Sequence, residues 1–269
     1  MKSTATYKQP TSVIALGAPG TGKTTFLCQF PKPFILDCDN NLSGPLRWLK
    51  EHNQSNEIFY GNPFEDEEGK VIPREQWYPR ASTLLQEACD SPLIETVIVD
   101  SLTSFVDIAM TEVLRQQGRK IGAAFDFKNK SSKSFDEPMQ IQDWGAFFGL
   151  MKQIVFRLKA TGKMIIYTGH IANELDSASG MIRQCIACPG KFADVMSGFF
   201  SEVWLFESFV DSKTKEERRT LRTFPQSKQM ESLGLKSSVG IKSGEALDPQ
   251  HVLSLMFPPK QLETFTLVK

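Results

Sequence analysis

Residues 17–25 form a glycine-rich loop whose residue types suit the binding of a polyphosphate. They read GAPGTGKTT, which matches the pattern G-x-x-x-x-G-K-[ST] in full. In this pattern, backbone N–H groups surround the phosphates, the lysine reaches the β- and γ-phosphates, and the next hydroxyl holds Mg²⁺. Lys23 and Thr24 take those two positions here. The predicted nucleotide-binding residues are Gly17, Ala18, Pro19, Gly20, Thr21, Gly22, Lys23, Thr24 and Thr25.

The residues on either side of the loop favour this interpretation over a chance glycine-rich turn. Residues 13–16 (VIAL) are apolar, as in a buried strand, and residues 24–30 resemble the first turns of a helix that ends at Pro31. A strand, a glycine loop and a helix in this order turn backbone N–H groups toward a phosphate. The sequence therefore predicts a site for ATP and Mg²⁺.

A second apolar run, residues 96–100 (TVIVD), ends in a carboxylate that suits the magnesium ion. A phosphate-loop protein needs an aspartate beside Mg²⁺, and Asp100 is the candidate, so Thr24 and Asp100 are the predicted metal ligands. The next residue is Ser101, whereas many such proteins have a glutamate there that polarises water. We therefore expect the catalytic base elsewhere in the chain.

Carboxylates after the second predicted strand are candidates for that base. Residues 34–41 read FILDCDNN, and a carboxylate at the end of a strand adjacent to the loop strand could orient water on the γ-phosphate. Asp39 is favoured over Asp37. The alternative is that both residues only cap a turn with Asn40 and Asn41.

His170 follows the apolar run of residues 164–168 (MIIYT) and Gly169. If this strand lies beside the Asp100 strand, His170 is near the γ-phosphate and can signal its presence to the following loop. A hydrogen-bonded histidine at a strand end is the alternative. The predicted catalytic residues are Lys23, Asp39, Asp100 and His170.

The composition is that of an ordinary globular protein. The 269 residues include 41% hydrophobic and 23% charged residues, with a formal net charge of zero, so nucleic-acid binding would depend on local patches. No apolar run approaches the ~20 residues that span a bilayer, and the first residues lack a secretory signal. We expect a cytoplasmic protein without membrane contact. Cys185 and Cys188 form a lone C-x-x-C, which we interpret as free thiols.

Strands that alternate with helical segments predict a mostly parallel α/β sheet. The clearest helix spans 144–159, with Asp143 as its N-cap, and residues 203–210 and 218–224 read as an antiparallel hairpin. We predict one domain over 1–269. Its predicted loop insertions lie near 61–75, 115–140 and 171–197.

The order of these features resembles the RecA/RadA family of ATPases. The matching pieces, within about residues 12–175, are GAPGTGKTT, FILDCDNN, TVIVDSLTSF and MIIYTGHI. The later part is similar to compact phage-encoded RecA-like ATPases, some of them single-strand annealing or recombination proteins. The resemblance implies a RecA-like P-loop NTPase core and a virus-encoded protein in the host cytoplasm. Asp39 and His170 stand where RecA-like proteins have a catalytic glutamate and a glutamine.

The same resemblance implies that the insertions 115–140 and 171–197 hold single-stranded DNA. The first insertion carries cations among phenylalanines, a composition suited to phosphate contacts and base stacking. These residues are Arg115, Arg119, Lys120, Lys128, Lys130, Lys133, Phe125, Phe127 and Phe135. A solvated loop is the alternative. The resemblance also implies a ring or short filament with ATP between subunits, and Lys191 is a candidate for the basic residue donated in trans.

The leading hypothesis is therefore a DNA-dependent ATPase of the recombination or annealing type. A small-molecule kinase would need an arginine-rich lid that closes over a second substrate. The candidate for this lid in the later part of the chain is residues 213–222. A nucleotide-gated loader or scaffold would bind ATP with little turnover. A GTPase is disfavoured because Asn129-Lys130 is followed by Ser131-Ser132 rather than x-Asp, and Asp100-Ser101 disfavours a standard AAA+ machine.

Overall fold

The computed structural model describes residues 12–54, 56–122, 136–175, 180–212 and 214–257. The strands are β1 (Ser12–Gly17), β2 (Pro33–Asp37), β3 (Phe59–Gly61), β4 (Thr96–Asp100), β5 (Met164–Gly169), β6 (Ile171–Leu175), β7 (Ile182–Ile186), β8 (Glu202–Val210), β9 (Glu217–Arg222) and β10 (Glu245–Ala246). The helices are α1 (Lys23–Leu27), α2 (Ser43–Glu51), α3 (Trp77–Asp90), α4 (Leu102–Gln116), α5 (Ile141–Ala160), α6 (Lys191–Met196) and α7 (Pro249–Met256).

Eight strands form one sheet in the order β10-β9-β8-β1-β5-β4-β2-β3. The six strands from β8 to β3 are parallel, and β9 and β10 extend the β8 edge in antiparallel pairings. The β8–β9 pair is the predicted hairpin near the carboxyl end of the chain. The prediction of a mostly parallel α/β sheet flanked by helices is therefore confirmed.

The strand order brings the chemically important strand ends to one edge of the sheet. In the observed register Asp37 pairs with Asp100, and Leu16 at the end of β1 pairs with Gly169. The loop strand β1 lies between β5 and β8, whereas β2 is separated from it by β5 and β4. The expectation that the Asp37–Asp39 strand is adjacent to the loop strand is thus wrong, because both neighbours of β1 come from later in the chain.

The sheet is buried on both faces, which explains why its strands read as short apolar runs. Alternate residues of β1 serve opposite faces. Ile14 and Leu16 belong to the core that includes residues of α3, α4 and α5. Val13 and Ala15 belong to the core that includes residues of α1, α2 and α7.

Several predicted boundaries differ from the observed ones. Helix α5 begins three residues earlier than expected, and Gln140 rather than Asp143 is its N-cap. Asp143 is the partner in a capping box, since its carboxylate accepts a hydrogen bond from the backbone N–H of Gln140 at 2.8 Å. Part of 171–197, expected to be irregular, forms the β6–β7 hairpin and α6. The sequence does not indicate these two strands because most of their residues are not buried and they lack the apolar pattern of a buried strand.

A cluster of contacts joins the two limbs of the 115–140 insertion, and we call this cluster the neck. Arg74 donates two hydrogen bonds to the carboxylate of Asp136, at 2.7 and 2.8 Å. The same carboxylate accepts from the backbone N–H of Gly122 at 2.7 Å. The backbone N–H of Glu137 donates to the carbonyl of Lys120 at 2.9 Å. The neck therefore fixes the two limbs of the insertion beside each other.

None of the helices in the described ranges is long and apolar enough to cross a bilayer.

Trp204 offers a direct test of the core on the α1 face. Its side chain is fully buried, packs edge-on against Phe26, and donates from Nε1 to Glu202 at 2.9 Å. Trp204→Ala is expected to lower the free energy of unfolding by about 3–5 kcal/mol, because it leaves a cavity and removes the hydrogen bond to Oε2 of the buried Glu202, whose Oε1 keeps its hydrogen bonds from Ser238. Urea denaturation followed by circular dichroism measures this loss. Trp48→Ala, at a residue that is 37% exposed, is the control, and an equal loss in both variants would contradict the expectation.

Candidate nucleotide-binding site

The glycine-rich loop leaves the carboxyl end of β1 and enters α1. A Cβ on Gly17 would lie 2.6 Å from the carbonyl oxygen of Phe206, so the close approach of β8 excludes a side chain there. Gly22, the N-cap residue of α1, has a φ of 87°, in the left-handed region that favours glycine. Both glycines that the pattern requires are therefore also required by the local backbone.

The side chain of Lys23 folds back onto the loop that precedes it. Its Nζ donates to the carbonyl oxygens of Gly17 and Ala18, at 2.9 Å each. Burial lowers the pKa of Lys23, while the negative charges of Asp100 and Asp39 act in the opposite direction. The ammonium group is thus held within the loop, close enough to both carboxylates to feel their charge.

The carboxylate of Asp100 joins three elements. Its Oδ2 accepts a hydrogen bond from the hydroxyl of Thr24 on α1 at 2.7 Å, and its Oδ1 accepts one from the hydroxyl of Thr168 on β5. Asp100 is 4% exposed. Burial raises the pKa of Asp100, and the hydrogen bonds from Thr168 and Thr24 oppose that rise. The structure therefore brings the two predicted metal ligands, Thr24 and Asp100, into direct contact.

Asp39 lies beside the first turn of α4. Its Oδ1 accepts hydrogen bonds from the hydroxyls of Ser101, at 3.0 Å, and Ser104. Its Oδ2 is 4.0 Å from Nε2 of His170. Asp39 and His170, predicted separately as base and sensor, are therefore neighbours.

His170 lies between β5 of the main sheet and β6 of the β6–β7 hairpin. Its strand β5 lies beside β4, as the sensor hypothesis required. Its backbone N–H donates to the hydroxyl of Thr103 at 3.3 Å, and its carbonyl accepts from the N–H of Ala187 at 2.9 Å. Nδ1 is buried without a hydrogen-bond partner among the described residues. The ring therefore keeps one unused polar atom next to the site.

Asp37 has a different environment from Asp39. Its two carboxylate oxygens accept from the backbone N–H groups of Asn41, at 3.3 Å, and Leu42, at 3.2 Å. Burial raises the pKa of Asp37, and these backbone hydrogen bonds oppose the rise. The turn-capping alternative therefore describes Asp37, whereas the carboxylate of Asp39 lies against side chains at the start of α4 and the end of β5.

Three residues at the site were not singled out from the sequence. Thr168 and Ser104 contribute the hydroxyls described above, and Arg219 of β9 lies against Gly22. The position of Thr168 just before Gly169-His170 was an available signal. Arg219 and Gly22 are brought together only by the pairing of β9 with β8, which no local pattern indicates.

The donor set suits a magnesium nucleotide. Mg²⁺ prefers oxygen ligands, which the Thr24 hydroxyl and the Asp100 carboxylate supply. Lys23 and the loop N–H groups supply positive charge and donors for phosphate oxygens. The residues present therefore fit ATP and Mg²⁺ together.

The predicted cations of the 115–140 insertion do not join this site in the described residues. Arg115 pairs with Glu112 at 2.7 Å, while Arg119 donates to Gln140 at 2.5 Å and its Nε lies 3.6 Å from Oδ2 of Asp143. These two arginines therefore support the end of α4 and the start of α5. Lys120 is also described, and its carbonyl accepts from the backbone N–H of Glu137 at 2.9 Å. The other members, Phe125, Phe127, Lys128, Lys130, Lys133 and Phe135, lie outside the described residues, as do residues 129–132.

Lys191 lines a groove between the beginnings of α5 and α6, which we call the α5–α6 groove. Its volume is about 650 Å³. Phe192 closes its floor, with its ring centroid 5.9 Å from that of Phe147 and 5.8 Å from that of Phe148. The lining residues are Ile141, Trp144, Gly145, Phe147, Phe148, Pro189, Gly190, Lys191 and Phe192. Residues that follow the first insertion predicted to hold DNA and residues of the second therefore line one groove.

Two solved structures share a limited likeness with this chain. One is a KaiC-like protein from Pyrococcus horikoshii, with 12% identity, coverage of 79% of this chain and 77% of that chain, and a TM-score of 0.40. The other is the flagellar accessory protein FlaH from Methanocaldococcus jannaschii, with 11% identity, coverage of 79% and 76%, and a TM-score of 0.39. A search of curated proteins gave no match. Family membership therefore depends on the family model.

That family model is described as an AAA domain and matches residues 9–230 of the 269, well over half of the chain. The match spans the loop, Asp39, Asp100 and His170. The chain belongs to this AAA-domain family and is a P-loop ATPase domain.

Proposed function

We propose that the protein binds and hydrolyses ATP with Mg²⁺ and acts on single-stranded DNA in recombination, annealing or repair. The observation that carries the ATPase part is the contact between Thr24 and Asp100 beside the buried Lys23. A complete phosphate loop, a buried carboxylate and a candidate base next to it form the machinery of phosphoryl transfer to water.

In this proposal, Lys23 exchanges its contacts with the Gly17 and Ala18 carbonyls for phosphate oxygens of ATP. Both contacts are made within the loop, so the exchange requires movement of one flexible side chain only. Thr24 and Asp100 hold Mg²⁺, which when bound supplies positive charge to the phosphate oxygens. Thr168 keeps the Asp100 carboxylate oriented through its own hydrogen bond.

Asp39 is the proposed base that orients and deprotonates the attacking water. The hydroxyls of Ser101 and Ser104 fix its Oδ1, which leaves Oδ2 toward His170 and the water. The side chain of Asp39 is 16% exposed, so water can reach it. The side chain of an aspartate is one methylene shorter than that of a glutamate. The position of Asp39 against α4 therefore determines where the attacking water must lie.

His170 is the proposed link between the nucleotide and the DNA-binding side. Its Nε2 faces Asp39, and its backbone carbonyl binds the N–H of Ala187, just after β7. A change in the position of His170 on ATP binding or hydrolysis would reach the β6–β7 hairpin and, beyond Pro189, the start of α6.

The α5–α6 groove is the proposed contact for single-stranded DNA. Binding that tolerates many sequences combines aromatic surfaces for base stacking with cations for phosphates. Trp144 is 36% exposed at the groove, and Lys191 is exposed at its edge. The composition of the adjoining 115–140 insertion supports the same ligand.

We also propose assembly into a ring or short filament with ATP between subunits. This assembly is supported by the resemblance of the sequence to the RecA/RadA family of ATPases. Lys191 is exposed, which suits donation to the ATP of a neighbouring subunit as well as contact with DNA.

The kinase alternative has less support from the described residues. Its candidate lid would need free arginines near the end of the chain. Arg218 pairs with Asp211 at 3.0 Å, and Arg222 pairs with Glu207. Both arginines thus hold the β8–β9 hairpin. A loader or scaffold that binds ATP with little turnover differs from the main proposal only in its rate, which the next experiment measures.

The ATPase proposal is tested by the rate of phosphate release with and without single-stranded DNA. We expect the wild type to hydrolyse ATP and to be stimulated by DNA. Lys23→Ala should abolish hydrolysis, because it removes the cation that binds the phosphates. Asp39→Asn should lower kcat by about 10²–10⁴-fold while ATP still binds, because it removes the base.

Three results would contradict these expectations. Tight ATP binding with negligible turnover, even with DNA, would favour the loader or scaffold. Phosphate transfer to a nucleoside in a coupled assay would favour the kinase. An Asp39→Asn variant with unchanged kcat would remove Asp39 from the mechanism.

The DNA proposal is tested with two aromatic residues on the same helix. Trp144→Ala should weaken binding of a fluorescent poly-dT oligonucleotide by about 1–3 kcal/mol, the range for loss of one stacking platform. Phe156→Ala is the matched control, because Phe156 is also on α5 and exposed but packs near Phe199, outside the groove lining. Equal affinities of the two variants would overturn the assignment of DNA to this groove.

The buried charge of Asp100 gives a test that separates stability from activity. Burial raises the pKa of Asp100 in the native state above its usual value of 3.8. At pH values between the unfolded-state pKa and the native-state pKa, the native state therefore binds more protons than the unfolded state. Stability contributed by this group therefore falls as pH rises through that window. At pH 8 without Mg²⁺, Asp100→Asn should unfold at a higher temperature than the wild type and hydrolyse no ATP. Calorimetry measures the unfolding temperature, and a lower value for the variant would show that the hydrogen bonds to the carboxylate outweigh its burial.

A further inference from the structure

Arg219 of β9 reaches the phosphate loop of its own chain. A Cβ built on Gly22 would lie 2.9 Å from Nη1 of Arg219 and 3.5 Å from its Cζ. The guanidinium group therefore packs directly on the residue that precedes Lys23. It is a second cation at the loop, and it comes from an element almost two hundred residues later in the chain.

The sheet holds Arg219 in this position. Its backbone lies opposite Ser208 of β8, and its carbonyl accepts from the N–H of Leu247 at 2.9 Å. The carboxylate of Glu217, two residues earlier on the same face of β9, accepts from Nε of Arg219 at 3.2 Å. This pair uses Nε, whereas Nη1 is the atom that faces Gly22. The position is therefore set by strand pairing and an oriented side chain.

The neighbouring Arg218 shows that a positive charge on β9 does not by itself reach the loop. Successive residues of a strand point to opposite faces, and Arg218 pairs with Asp211 at 3.0 Å. The two arginines have the same charge and are partly exposed, at 52% for Arg218 and 38% for Arg219. They differ in which face of the hairpin they occupy.

We propose that Arg219 binds the phosphates of the nucleotide held by the same chain, as a second cation beside Lys23. A guanidinium group carries several N–H donors in a planar fork that matches phosphate oxygens, and its charge persists at all physiological pH values. Phosphates bound by the N–H groups of the loop would lie close to Gly22, and Arg219 packs against that residue. This inference rests on the proposed ATP binding. It adds a residue that favours ligands with phosphates, such as ATP, over ligands without them, such as adenosine.

Arg219 acts in cis, on the nucleotide of its own chain. The hairpin that carries it is paired directly to β8, which is paired to β1 and so to the loop. No second subunit is needed to bring the guanidinium to Gly22. Arg219 therefore has a role separate from that of a basic residue donated in trans, for which Lys191 is the candidate.

The first test compares nucleotide affinity in matched variants by isothermal titration calorimetry with ATP and with adenosine. Arg219→Ala should raise the Kd for ATP by about 10- to 100-fold, the effect of losing a charge-assisted hydrogen bond. Affinity for adenosine, which has no phosphate, should not change. Arg218→Ala should bind ATP like the wild type, and Arg219→Lys should recover part of the loss. Circular dichroism spectra that match the wild type will establish that each variant is folded.

The second test separates cis from trans action by mixing variants. If Arg219 served a neighbouring subunit, mixing the Arg219→Ala and Lys23→Ala variants would restore ATP hydrolysis. The Arg219→Ala subunit would supply an intact phosphate loop, and its Lys23→Ala neighbour would supply an intact Arg219. We expect no hydrolysis above the sum of the two separate variants, and recovery would overturn the assignment in cis.

The ways in which these tests can fail are distinguishable. A wild type that does not bind ATP would overturn the proposed function itself. A wild type that binds ATP, with Arg219→Ala and Arg218→Ala of equal affinity, would overturn only the role of Arg219. A tighter Kd for Arg219→Ala would also overturn it, since the guanidinium would then compete with the nucleotide for the loop.

Discussion

A buried carboxylate among hydroxyl groups is the constraint on which the nucleotide site depends. Asp100 loses solvation on burial, and the hydroxyls of Thr24 and Thr168 offset that loss. These residues come from α1, β4 and β5, so the site exists only when the parallel sheet aligns the ends of its strands. The fold and the site are therefore one arrangement, in which strand order decides which side chains meet.

Local sequence predicted those parts of the molecule that local physics determines. The parallel strands are buried on both faces and so read as apolar runs, and the glycines of the loop are required by backbone conformation and close approach. The metal ligands follow from the loop pattern together with the carboxylate that ends β4. Asp39 and His170 were identified one at a time, and their proximity became visible only through the pairing of β4 with β5 and β2.

Features that depend on long-range pairing or on exposed strands could not be predicted. The neighbours of β1 come from residues 164–169 and 202–210, which no nearby residue specifies. Most residues in the two strands of the β6–β7 hairpin are not buried, although Cys185 and Ile186 are, so the strands lack the hydrophobic alternation that marks a half-buried strand. The N-cap of α5 was misplaced because Asp143 serves the capping box from inside the helix, where its sequence signal resembles that of a cap.

The neck has a consequence for how this protein can vary. Arg74 and Asp136 fix residues 120–122 beside 136–137, so the described chain that leads into the segment 123–135 ends next to the described chain that leads out of it. The length of a segment whose ends are held together adds only slowly to the entropy of closing it. Residues can be added or removed there, or another segment grafted in, while the distance that the chain must bridge stays constant. Selection can thus change the length and composition of this segment while the neck keeps its two ends in place on the ATPase domain.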